Sequence, residues 1–124
     1  MPYTIDWYLE NEILLMTYSG TMTIDDMIQA NDHAKAYIAE IGRPIYLISI
    51  LEEGTKVPTD IRFYVDITVV TEDNFKLNFA VGAPSFIVLI SRIIARMTKV
   101  KILAVDSLEE ALQIIAKREP DLIK

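Results

Sequence analysis

The sequence predicts an α/β fold: a mostly parallel sheet of about five strands with an antiparallel edge strand and four helices, in the order ββαβαβαβα. Three observations predict it. Short runs rich in β-branched and aromatic residues alternate with segments whose apolar residues recur every three or four positions. Glycine or proline stands at most of the junctions. The composition is globular: of 124 residues 52% are apolar and 24% charged, enough to bury one core without staples. Alternating β and α units imply parallel strands joined by right-handed crossovers. Residues 1–124 read as a single domain, with no internal repeat, low-complexity tract or linker.

Thr4 to Leu9 and Ile13 to Tyr18 read as an antiparallel hairpin broken by Glu10-Asn11-Glu12, and Gly20 ends its second strand. Thr23 is a good helix N-cap, with Asp25 and Asp26 in the first turn where the helix dipole favours negative charge. Met27, Ala30, Ala34, Ile38 and Ile41 then form one apolar stripe, stopped by Gly42 and Pro44. Ile45 to Ile50 is apolar throughout, the pattern of a strand buried on both faces. Leu51 to Pro58 is a polar loop.

Residues 59–70 fit two patterns. Ile61, Phe63, Val65, Ile67 and Val69 alternate as in a strand, whereas Ile61, Tyr64, Val65 and Thr68 share a helical face behind Pro58-Thr59-Asp60. The helix is preferred because it keeps the β-α alternation. Phe75 to Val81 reads as a strand ending at Gly82. Pro84 suits the first turn of a helix reaching about Met97. Val100 to Val105 is the last strand. Ser107-Leu108-Glu109-Glu110 is a capping box opening a helix that buries Leu108, Ala111, Leu112, Ile115 and Ala116 and stops at Pro120.

This order and some local wording resemble the STAS-like fold, in particular the SpoIIAA-like group, whose founding members are anti-sigma-factor antagonists. The resemblance rests on Phe79-Ala80-Val81-Gly82, the apolar helix Phe86 to Met97, and Val105-Asp106-Ser107-Leu108-Glu109-Glu110-Ala111 after the last strand. Tyr18-Ser19-Gly20-Thr21-Met22-Thr23 adds the strand, glycine and capped first helix. The resemblance implies a non-enzymatic interaction or regulatory module acting through protein–protein contacts. Regulatory members carry an Asp-Ser pair, phosphorylated on the serine, at the helix after the third strand. Here that region reads Val57-Pro58-Thr59-Asp60-Ile61-Arg62, so the serine is missing and Thr59 is the weak phospho-acceptor candidate. Its plainer role is a helix N-cap.

Composition excludes several chemistries. There is no cysteine, hence no disulfide, thiol catalysis or iron–sulfur cluster, and one histidine cannot build a multi-histidine metal site. Twelve basic against eighteen acidic residues give a net charge of −6, which argues against general nucleic-acid binding. No Gly-rich phosphate loop or G-x-S-x-G elbow is present, and no catalytic residue, cofactor or metal site is assigned. His33 reads as an exposed helical residue, and Glu52-Glu53 as a solvated loop at the C-terminal end of the third strand. The N-terminus lacks a signal-peptide pattern and the longest apolar run, Phe86 to Ile90, falls far short of the ~20 residues of a membrane span. The expected compartment is the cytoplasm.

The penultimate helix carries the sharper expectation. Phe86, Ile87, Leu89, Ile90, Ile93, Ile94 and Met97 cover more than one stripe, so part of this surface should meet something besides its own sheet. A self-associating surface, most simply a homodimer, is the preferred occupant. Residues 74–105 hold Lys76, Arg92, Arg96, Lys99 and Lys101 and no acid, a local +5. Arg92, Arg96 and Lys99 therefore form a candidate patch for an anion or acidic partner, or simply complement the helix dipole. A second reading is an apolar small-molecule or lipid carrier resembling the CRAL-TRIO type, with Trp7, Phe63, Tyr64, Phe75, Phe79 and Phe86 as lining.

Overall fold

The computed structural model describes residues 2–60, 62–64, 66, 75–97 and 102–123, with Ala95 and Met97 described by their backbone alone. β1 (Tyr3–Leu9) and β2 (Ile13–Tyr18) pair antiparallel from Tyr3 opposite Tyr18 to Leu9 opposite Ile13. Asn11 closes their turn at φ 65°, a left-handed conformation that asparagine tolerates. Along β1 Thr4, Asp6 and Tyr8 are exposed while Tyr3, Ile5 and Trp7 turn inward, the alternation of an edge strand with one wet face.

α1 (Ile24–Ile41) opens with a complete capping box. Thr23 Oγ1 accepts from the Asp26 amide at 3.1 Å, and the Asp26 carboxylate accepts from the Thr23 amide at 2.9 Å. Gly42 ends it at φ 77°, its N–H donating to the Ile38 carbonyl at 2.9 Å. β3 (Ile45–Leu51) follows, with Ile45 to Ile48 buried. β4 (Phe75–Val81), α2 (Ser85–Met97), β5 (Ile102–Val105) and α3 (Leu108–Arg118) complete the order. The described part of the ambiguous segment, residues 62–64 and 66, is helical, a fourth helical element. Tyr64 there is buried while Arg62 and Asp66 are exposed, a helical rather than a strand sidedness.

The five strands lie in sequence order, β1-β2-β3-β4-β5, and every pair after the first is parallel. Right-handed crossovers that always step the same way place their helices on one face. α1 accordingly packs Ala30, Ala34 and Ile38 on Leu14, Met16 and Leu47. Beside it Ile90 and Ile94 of α2 enclose Tyr64, with Met27 of α1 and Ile102 of β5 against them. α3 lies on the other face, with Ala111 and Ile115 against Tyr46, Ile48, Leu77 and Phe79. Among the described residues no helix is long and apolar enough to cross a membrane.

Candidate functional site

Between the sheet and its three-helix face lies a half-open cavity of about 170 Å³. Strand pleating decides its floor. Met16 and Tyr18 of β2, Leu47, Ser49 and Leu51 of β3, and Ala80 of β4 point to the helical side, because side chains two apart share a face. Ala34 with Met27 and Asn31 of α1 forms one wall, and Ile87 of α2 and Tyr64 form the other. The small side chains Ala34, Ser49 and Ala80 leave the space that a larger residue would fill.

The polar groups of the cavity are few. Asn78 of β4 lines it, and its Oδ1 is buried with no hydrogen-bond partner. Burial pushes the Tyr18 and Tyr64 hydroxyls up to about 12, so both remain neutral donors. Tyr64 donates to the Pro58 carbonyl at 2.5 Å, while the Tyr18 hydroxyl meets the Met16 sulfur at 3.8 Å, a weak acceptor, and the Ser49 side chain beside it. Among the described lining residues none carries a formal charge. The cavity can hold an uncharged, mostly apolar guest. Among the described residues no group of three or more metal-ligating side chains is assembled.

A crystal structure of an uncharacterised protein of the DUF3478 family from Shewanella loihica PV-4, described as having a SpoIIAA-like fold, superposes with a TM-score of 0.61 over 90% of each chain, at 16% identity. The fold is SpoIIAA-like. No protein-family model matches the sequence, and no match was found among curated proteins.

On this SpoIIAA-like frame the residues singled out from the sequence separate. Of the candidate interface, Ile90 and Ile94 are 3% and 2% exposed. They are withdrawn from it, because the helical stretch carrying Tyr64 covers the flank of α2 that the sheet leaves bare. Phe86 and Ile87 pack partly against that cluster, Ile93 is half-buried, and Leu89 stands out at 56% exposed. Arg92 and Arg96 are exposed, whereas Lys76 of the same basic segment pairs with Glu119 at 2.9 Å. Lys99 and the side chain of Met97 lie outside the described residues. Thr59 is exposed but is not the cap: Asp60 accepts the Arg62 amide at 3.0 Å through its carboxylate. His33 is exposed, and its Nδ1 faces the Tyr3 hydroxyl at 2.6 Å, linking α1 to β1. Glu52 and Glu53 are exposed on their loop.

Of the aromatic residues expected around an apolar guest, Tyr64 and Phe75 line the cavity, whereas Phe79 borders it from β4 with its ring in the core on the α3 side. Phe63 and Phe86 pack instead around Ile90 and Ile94. Trp7 meets Tyr37 edge-on at 5.6 Å between centroids. Sequence reasoning missed Asn31, Ser49 and Asn78. A signal existed for two of them: Ser49 and Asn78 break the apolar runs of the inner strands β3 and β4, and in the register Leu47 pairs with Asn78 and Ser49 with Ala80. Polar positions on one face of two adjacent buried strands mark a place where the core is not sealed.

Proposed function

We propose that this chain is a non-catalytic binding module that takes up a small, largely apolar molecule between its sheet and its helical layer. The observation that carries the reading is the cavity of about 170 Å³, whose described lining side chains are uncharged and mostly apolar. An apolar void of about 150 Å³ is large enough to admit benzene. Titration with fluorobenzene, followed through the methyl signals of Met16, Leu47 and Ile87, tests it. Saturable shifts confined to those signals are expected, and their loss in Ala80→Phe, which fills the space. Unchanged methyl signals at millimolar probe would overturn the reading.

A second reading, self-association in the cytoplasm, is favoured by the outer face of α2. Leu89, at 56% exposed, shares that face with Arg92 and Arg96 by helical spacing. Sedimentation velocity should show a dimer that Leu89→Asp dissociates. A monomer at every concentration up to about 100 μM, an affinity weaker than roughly −5.5 kcal/mol, removes it.

A further inference from the structure

Asn78 sits mid-strand on β4, a position where a central parallel strand ordinarily carries an apolar residue. Its buried Oδ1 has no donor, an arrangement native interiors rarely leave uncorrected. Neither tyrosine supplies one: the Tyr64 hydroxyl is spent on Pro58, and the Tyr18 hydroxyl is directed at Met16 and Ser49. The carboxamide torsion of asparagine is soft, so the acceptor can turn toward a guest in the cavity that Asn78 lines. The walls restrict that guest further. Without a charged residue among the described lining, an ion would lose its water with no counter-charge. Tyr18, Tyr64 and Phe75 offer ring faces and edges, and Met16 and Met27 offer sulfurs, surfaces that favour an aromatic partner.

We propose that the cavity selects a neutral aromatic molecule, of one ring or a small fused pair, bearing an N–H or O–H donor that Asn78 Oδ1 accepts. The proposal rests on the ligand-binding reading above and assigns its chemistry. The test compares indole with indene, which has the same shape but no N–H, by calorimetric titration of the intact protein. Indole should bind roughly three- to tenfold more tightly, the worth of one net hydrogen bond. Asn78→Leu should retain indene and bring the ratio of the two to about one. Indole-3-carboxylate at neutral pH should not bind. Equal affinities for indole and indene in the native protein overturn the role of Asn78 while leaving the cavity reading intact. Failure of both probes overturns the cavity reading itself. Carboxylate binding as tight as indole overturns the requirement for neutrality. The native-protein comparison decides even if Asn78→Leu does not fold.

Discussion

Glu119, one residue past the end of α3, ties three elements together. Its carboxylate accepts the Tyr46 hydroxyl at 2.5 Å and Lys76 Nζ at 2.9 and 3.1 Å, and Lys76 also lies 5.2 Å from the centre of the Tyr46 ring. The hydrogen bond from Tyr46, and then that from Lys76, hold the Glu119 carboxyl below its ordinary value of 4.5. A carboxyl whose folded-state pKa is depressed contributes stability above its unfolded pKa, and that contribution fades as pH falls through the folded value. Glu119→Gln should therefore lower Tm at pH 7, and the gap to the native protein should close as pH drops below about 4.5. The loss at pH 7 should stay small, about 0–1 kcal/mol, because the Lys76–Glu119 pair is partly exposed. A gap that persists unchanged at pH 3 would mean that shape rather than charge is lost. The sequence displays Lys76 only as one cation in a basic segment. Its partner lies 43 residues away, and no local pattern couples the two.

At the scale of elements, ends were legible wherever the determinant is local. The Thr23 cap and the Gly42 stop of α1 follow from side-chain chemistry within a single turn. Thr23→Ala should cost about 1 kcal/mol of stability by chemical denaturation, since it removes one half of a capping box. At α3 the same logic needs one adjustment. Ser107 accepts the Glu110 amide as expected, but the Glu110 carboxylate accepts the Asp106 amide, one residue upstream. A similar one-residue offset puts Asp60 rather than Thr59 at the head of the helical stretch. Composition shows both side chains able to cap, and only backbone geometry chooses between them. Gly82 makes the strictest demand. It lies at φ +71°, and a Cβ there would meet the Leu51 carbonyl oxygen at 2.9 Å. Because backbone rather than a flexible side chain stands in the way, Gly82→Ala should destabilise by more than about 1 kcal/mol. A variant as stable as the native protein would show that the β3–β4 ends can separate freely.

For the molecule as a whole, the largely parallel pairing and the antiparallel edge strand followed from the alternation of periods, whereas the order of the strands across the sheet came from the structure. The cavity did not follow. It arises where Ala34, Ser49 and Ala80, distant in sequence, come opposite one another, and single-element patterns do not report what faces a small residue. The surplus of apolar surface on α2 was visible, but its cover was not, since that cover lies in the segment whose periodicity fits strand and helix alike. The same uneven layering sets the order in which the fold can be completed. Three helical elements sit above the sheet, while among the described residues α3 is the helix beneath it, against Tyr46, Ile48 and Phe79. Those side chains leave the ribosome long before Ala111 and Ile115 do. A chain halted at Asp106 would carry a bare greasy underside, prone to clumping or to capture by chaperones, until its final stretch swings across to seal it.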